Sequence, residues 1–284
     1  MNTLSNKFLR GSLRVINLIE SITNRLFVKI RAILNRTSSE SITTPNNPCG
    51  WEKMYLSKVD PIKECNSEIT NRLLALSEQG ERMLETGCGG GILSAELALA
   101  GRVVSVCDFS QSILDRTKLL FRASGLNTPE SFLMDLTKPM PFMDGQFDIV
   151  WNSGVLEHWT DEELKPIMNE LARCAKRCVI SFVPNERSVF YRYGRESAEQ
   201  HGIAPWGREI PRSSLKSLFE DAGLINVQER TVCVAEAPNL ISKIDPVFQR
   251  KIKQWWDAVS DEDPVKDGQG YLLLTVGYKK NANP

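Results

Sequence analysis

The chain reads as an α/β protein with a mostly parallel sheet covered by helices, and three observations predict this. From Trp51 onward, helix-like and strand-like stretches alternate, the pattern of a parallel sheet buried on both faces. Residues 83–91, Met-Leu-Glu-Thr-Gly-Cys-Gly-Gly-Gly, run an apolar strand end into Gly87, Gly89 and Gly91, spaced G-x-G-x-G. Acids follow two later strands, at Asp108 and Asp135.

The elements are expected in this order. A helix spans Pro61 to Ser77 and a first strand Arg82 to Glu85. The glycine turn leads into helix Ile92–Ala100, stopped by Gly101, then strand Arg102–Cys107. Helix Gln111–Ser124, closed by Gly125, precedes strand Ser131–Met134, and strand Phe147–Trp151 follows. Helix Asp161–Ala172 has Thr160 and Glu163 in capping-box spacing and leads to strand Cys178–Phe182. Helix Ser214–Ala222 precedes strand Ile225–Cys233, a helix is expected at Pro246–Val259, and Tyr271–Val276 is strand-like. Two late strands without a compact crossover between them predict an antiparallel pair at the sheet edge.

Charge divides the chain. The net charge is zero, so no whole-protein field points to nucleic acid. Residues 1–36 nevertheless carry seven basic side chains against Glu20 alone. There Phe8, Val15, Ile16, Ile19, Ile22, Leu26, Ile30 and Ile33 recur near helical spacing. Residues 1–50 are read as a basic amphipathic helical arm plus a polar linker, Thr37 to Pro48. Three uses stay open for the arm: packing on its own domain or a second subunit, peripheral contact with a membrane surface, or an organellar transit segment. No apolar run reaches the roughly 20 residues of a membrane span. The seven cysteines are scattered without C-x-x-C spacing, so no metal is expected. Buried reduced thiols in a cytoplasmic protein, with or without peripheral membrane contact, are the expectation.

A glycine turn alone admits several nucleotide-like ligands. A nicotinamide-binding turn, G-x-G-x-x-G, would place its third glycine at position 92, which is Ile92. Glu85 just before the turn would repel a pyrophosphate and suits a ligand carrying an ammonium group. Asp108, at the end of the second strand, can accept both hydroxyls of a ribose, and Asp135 can accept from an adenine amino group. Singly, each acid also reads as a loop residue or a helix cap. Together they mark the carboxyl edge of the sheet, where open α/β sheets bind ligands.

These residues resemble the class I S-adenosylmethionine-dependent methyltransferases, in their small-molecule branch, the methyltransferase type 11 or ubiquinone-biosynthesis-like proteins. The resemblance rests on Glu85-Thr-Gly-Cys-Gly-Gly-Gly91, Val106-Cys-Asp108, Met134-Asp135, the stretch Phe147-Asp-Ile-Val-Trp-Asn-Ser-Gly-Val-Leu-Glu-His158, and Leu215 to Gly223 before a strand. It covers the chain from residue 51 to the end. It implies a seven-stranded, mostly parallel, doubly wound sheet of order 3-2-1-4-5-7-6, with strand 7 antiparallel. Residues 51–284 would form the S-adenosylmethionine-binding domain, with 184–211 and 234–270 as insertions on the substrate side.

By position, the resemblance implies that Gly87 and Gly89 lie against the methionine part of the cofactor, with Glu85 near its amino group, and that Cys88, Gly91 and Phe109 are further cofactor-binding residues. Asp108 would hold the ribose, and Asp135 and Leu136 would frame the adenine. Asn152 and Ser153 meet the methionine end. Trp51 and Tyr55 cover the cofactor or serve as core aromatics. His158 is the candidate base for a hydroxyl acceptor, or a structural histidine at a helix start. His201, in the insertion, is a further candidate. Residues 184–211 mix Phe190, Tyr191, Tyr193 and Trp206 with arginines and suit an acceptor wall.

The expected function is in-line methyl transfer from S-adenosylmethionine to an oxygen, nitrogen or carbon of a small molecule. The alternatives are a cofactor-binding regulatory module without turnover and a nicotinamide-dependent reductase. No Asn/Asp-Pro-Pro-Tyr/Phe motif follows the fourth strand, so a nucleic-acid substrate is not expected.

Overall fold

The computed structural model describes Tyr55 and residues 59–200, 208–241 and 246–280. The expectations for the arm and linker of residues 1–50, Trp51, His201 and Trp206 lie outside the described residues. All described residues belong to one unit, Thr44–Pro284.

Seven strands form one sheet: β1 (Arg82–Thr86), β2 (Val103–Asp108), β3 (Glu130–Leu133), β4 (Phe147–Ser153), β5 (Ala175–Pro184), β6 (Ile225–Val232) and β7 (Leu272–Tyr278). Their order is β3-β2-β1-β4-β5-β7-β6. The five neighbours from β3 to β5 run parallel, and β7 lies antiparallel between β5 and β6. The expected order and the reversed strand are both present.

Register brings the functional strand ends level. Glu85 of β1 sits between Val106 of β2 and Trp151 of β4. Asp108 closes β2 beside Leu133 of β3, and Ser153 closes β4 beside Phe182. The carboxyl ends of β1, β2, β3 and β4 therefore share one rim. Central strands are apolar to the point of full burial: Met83, Leu84, Ile149, Val150, Trp151, Val179 and Ile180 are all inaccessible to solvent, as expected for a sheet covered on both faces.

Helices α1 (Glu68–Ala75), α2 (Ile92–Leu99), α3 (Gln111–Ala123) and α4 (Asp161–Cys174) accompany the parallel strands. The α4 cap is the predicted capping box: Thr160 Oγ1 accepts from the Glu163 N–H at 3.4 Å, and Glu163 accepts from the Thr160 N–H at 2.7 Å. The first helix is shorter than the expected Pro61–Ser77. Ser67 caps it, accepting from the Ile69 N–H at 3.2 Å. Upstream, the Ile62 N–H donates to Ser124 and the Asn66 N–H to Glu96. Those backbone donors are spent on neighbouring helices, so they cannot build a helical ladder.

Strand β5 is longer than Cys178–Phe182. Pairing with β7 continues to Pro184, and Ala175 pairs with Phe147. The segment after β5 forms helix α5 (Val189–Gln200), which the sequence pattern did not separate from its insertion. Helix α6 (Lys216–Asp221) precedes β6, and α7 (Pro246–Ala258) precedes β7. The two insertions meet: Phe190 of α5 packs edge-on against Trp256 of α7, ring centres 4.8 Å apart, with Ala237 and Ile241 beside them. The Trp256 indole N–H donates to the Val234 carbonyl at 2.9 Å. Such an edge-to-face pair contributes about 0.5–1.5 kcal/mol beyond its burial.

Among the described cysteines none is in a disulfide. Cys88, Cys107, Cys174, Cys178 and Cys233 are buried, and Cys65 is half-buried. No described helix is long and apolar enough to cross a membrane.

Candidate active site

The glycine turn is built by hydrogen bonds before any ligand is considered. The N–H groups of Gly87 and Cys88 both donate to the Cys107 carbonyl, at 2.9 and 3.1 Å. This ties the turn to β2. Gly89 has φ +48°, and a Cβ there would come within 3.0 Å of the Tyr55 ring. Gly91 has φ +69°, and a Cβ would lie 2.6 Å from Thr117 of α3. Both positions therefore need glycine for a left-handed backbone and for close packing.

Asp108 is 5% exposed and faces this turn. Its carboxylate accepts the Gly89 N–H at 3.2 Å and the Ser110 N–H at 3.0 Å. Burial raises its pKa, and these backbone donors oppose the rise. Ser110 in turn caps α3 by accepting from Ile113. Asp135 is held differently: one carboxylate oxygen accepts from the N–H and the hydroxyl of Thr137, at 2.9 and 2.7 Å.

A cleft of about 330 Å³ opens on this rim. Gly87, Gly89, Asp108, Phe109, Met134, Asp135, Leu136, Ser153, His158 and Tyr55 line it, as does a set that the sequence did not single out: Ile113, Gly154, Val155 and Trp159. These missed residues are ordinary apolar and glycine positions; their one signal is that they flank selected ones. The volume lies at the lower end of the range for small-molecule sites.

Four selected residues do not line the cleft. Glu85 lies behind the turn, 4% exposed, and accepts from the Ser94 hydroxyl at 2.5 Å. Burial pushes its pKa up to about 8. Cys88 is buried against Val106, Ile113 and Leu114, and burial holds its thiol well above the ordinary range. Asn152 is fully buried and accepts from the Ser181 hydroxyl at 2.6 Å. Gly91 caps α2.

Tyr55 sits over the turn. Burial first, then the carboxyls of Glu157 and Asp108, push its hydroxyl to a pKa of about 12. His158 forms part of the opposite wall, in a short 3-10 turn spanning Leu156–His158. Its Nδ1 is 2.7 Å from the Arg208 carbonyl oxygen. A carbonyl can only accept, so Nδ1 carries a proton. Burial lowers the His158 pKa, against the opposing pull of the Arg208 and Gly154 backbones. The neutral tautomer therefore has its basic lone pair on Nε2.

Two of the insertion's arginines are engaged within the chain. Arg208 donates to the His158 carbonyl and to Glu163, and Arg195 to Glu199. One ligand atom each from Glu68, Cys233 and Glu236 lies within 4.8 Å of the others. Glu68 there already accepts from the Cys233 N–H and from Arg72.

Residues 83–177 match the family model described as a methyltransferase domain. The chain is 33% identical over 131 residues to an uncharacterized methyltransferase of Synechocystis, covering 44% of this chain and 58% of that protein. It is 37% identical over 114 residues to the ubiquinone biosynthesis O-methyltransferase of Azotobacter vinelandii, covering 39% of this chain and 47% of that one. The chain thus spans about half the length of these curated relatives. Its fold is similar to that of the geranyl diphosphate C-methyltransferase of Streptomyces coelicolor, with TM-score 0.50 and 16% identity over 74% of this chain and 78% of that one. The reversed seventh strand and the glycine turn thus accompany a match to a methyltransferase domain over residues 83–177, about a third of the chain.

Proposed function

We propose that the protein transfers the methyl group of S-adenosylmethionine to a small-molecule acceptor. The observation that carries this reading is the single cleft lined by the glycine turn, Asp108, Asp135 and His158. The donor set fits the cofactor. Asp108 spends lone pairs on Gly89 and Ser110 while its carboxylate still faces the cleft, leaving capacity for ribose hydroxyls. Asp135 and Leu136 frame the adenine end, and Tyr55 and Phe109 line the same cleft. Glu85, buried behind the turn and proton-bearing below about pH 8, would favour a nearby ammonium group on releasing that proton. The bound cofactor supplies a methyl group on a sulfonium, already strongly electrophilic.

The protein's share is to align the acceptor and exclude water. For a hydroxyl acceptor, His158 Nε2 would take the proton as the methyl group arrives. The Arg208 carbonyl fixes the ring and the tautomer from the far side. Residues 184–211 and 234–270 form the acceptor wall. The basic surplus of residues 1–36 supports peripheral contact with an anionic surface. The test is calorimetric binding of S-adenosylmethionine against NAD, followed by S-adenosylhomocysteine release with a panel of hydroxyl, amine and carbon acceptors. Preference for NAD would refute the reading. Cofactor binding with no turnover on any acceptor would favour the regulatory module.

A further inference from the structure

Helix α7 is apolar on two sides. Inward it offers Trp256, which packs on Phe190, with Ile252 against the same cluster. Outward it offers Val247, Phe248 and Trp255, which are 55%, 43% and 46% exposed. Residues three, four and seven apart share one side of a helix. Phe248, Lys251 and Trp255 therefore form one row, with Val247 beside it. On α5, Val189 and Tyr193 stand one turn apart and are both exposed. The Tyr193 and Phe248 rings lie 6.4 Å apart, which joins the two helices into one patch.

Isolated exposed apolar side chains are ordinary, but contiguous ones mark contact surfaces. Tyr193, Phe248 and Trp255 are the only exposed aromatic residues among the described ones, and all three stand on this patch.

The charges around the patch select what covers it. Helix α7 carries Arg250, Lys251 and Lys253 against Asp257 alone. Lys253 is tied to Asp257 at 2.8 Å. Arg250 and Lys251 are exposed and have no acidic partner among the described residues. On α5, Arg195 donates to Glu199, and Glu196 accepts from Gln200. Acids also follow the C-terminal end of α7, away from Phe248. There Asp261 pairs with Lys266, Asp263 caps the Val265 N–H, and Glu262 is exposed. The patch thus combines an aromatic row with two uncommitted cations. A second copy docking through the same face would set these cations against their own kind. Residues 1–36, with six net positive charges, would meet like charge as well. An anionic lipid surface suits both features. Its phosphates attract Arg250 and Lys251, and its headgroup layer takes up Trp, Tyr and Phe rings. We propose that the outer face of α5 and α7 docks on an anionic lipid surface. This adds a second surface to the peripheral contact read for residues 1–36. One weak element gives marginal, reversible attachment, and stable attachment takes two.

The test is co-sedimentation of the full chain with vesicles of equal parts phosphatidylglycerol and phosphatidylcholine, and with phosphatidylcholine alone. The wild type is expected to bind the anionic vesicles and not the neutral ones. Phe248→Ser combined with Trp255→Ser should weaken that binding about tenfold, and Lys251→Glu by a similar factor. Thermal midpoint and S-adenosylmethionine affinity should hold in both, because the changed side chains are exposed. Trp255→Phe should still bind, but should lose part of the tryptophan quenching produced by brominated phosphatidylcholine in the vesicles. No binding by the wild type, wild-type binding by the serine variant, or unchanged quenching in Trp255→Phe would each overturn the docking face. A dimer in light scattering that the serine substitutions dissolve, with vesicle binding unchanged, would assign the patch to a second copy instead. The arm is judged separately. If the chain lacking residues 1–36 still binds and is still weakened by the serine substitutions, the arm reading falls and the docking face stands.

Discussion

The Gly89 N–H donates to the Asp108 carboxylate at 3.2 Å, so the glycine turn of β1 and the acid that ends β2 are one unit. Asp108→Ala removes two things at once, the proposed ribose acceptor and the brace that holds the turn. Loss of two hydrogen bonds to a charged group predicts S-adenosylmethionine binding weakened by about 100-fold or more. Asp108→Asn, which keeps one carbonyl acceptor, should lose less. Calorimetry decides; unchanged affinity in the alanine variant would remove Asp108 from the site.

Gly91→Ala places a methyl group 2.6 Å from Thr117 at a left-handed backbone position. Strain and overpacking of this kind cost about 1–3 kcal/mol, visible as a lowered thermal midpoint. Adding Thr117→Ala removes the two nearest atoms and should recover part of the loss, leaving the backbone strain. A double variant no more stable than the single one would show that crowding is not the cause.

Burial lifts Glu85 to a pKa of about 8 in the folded protein, against about 4.3 for an unperturbed glutamate. Between these values the folded state holds a proton that the unfolded chain has released, so stability contributed by this group falls as pH rises. It is fully present below about pH 4 and lost through pH 8. Glu85→Gln should therefore show a flatter midpoint-against-pH curve over this window than the wild type. Parallel curves would mean that Glu85 is ionised throughout.

Burial lowers the His158 pKa below its usual value. If His158 takes the acceptor's proton, activity rises as the ring loses its charge, and the acid limb lies below pH 6.5. His158→Gln should cut turnover by about 10²–10⁴-fold and erase that limb, while cofactor affinity holds. A variant with the wild-type pH profile would leave His158 as a purely structural residue.

Deleting residues 1–36 removes six net positive charges. Association with anionic liposomes should vanish while S-adenosylmethionine still binds. Continued co-sedimentation of the shortened chain would move the membrane contact elsewhere.

The donor side of this site was legible because its parts are local and chemically distinctive. A glycine turn, an acid one strand further on and a capping box each announce themselves within a few residues. The sheet order needed the family resemblance. The position of Glu85 was not legible: the sequence places it at the turn, but the choice between facing the cleft and facing Ser94 is a side-chain matter. Nor was the missing helical start before Glu68, because the donors of Ile62 and Asn66 are claimed by residues 62 and 30 positions away.

The contact between Phe190 and Trp256 joins two insertions that lie far apart along the chain. The proposed donor half of the site hangs on the ends of β1, β2 and β3, whereas the proposed acceptor wall follows β5 and precedes β7. The two halves are thus mounted on different strands and meet where the Ile210 N–H donates to the Glu157 carbonyl. Sequence change in the wall can retune which molecule is accepted without passing through the turn that grips the donor, and compensating changes should arise in pairs across the Phe190–Trp256 seam. The fold behaves as a fixed socket with an exchangeable jaw.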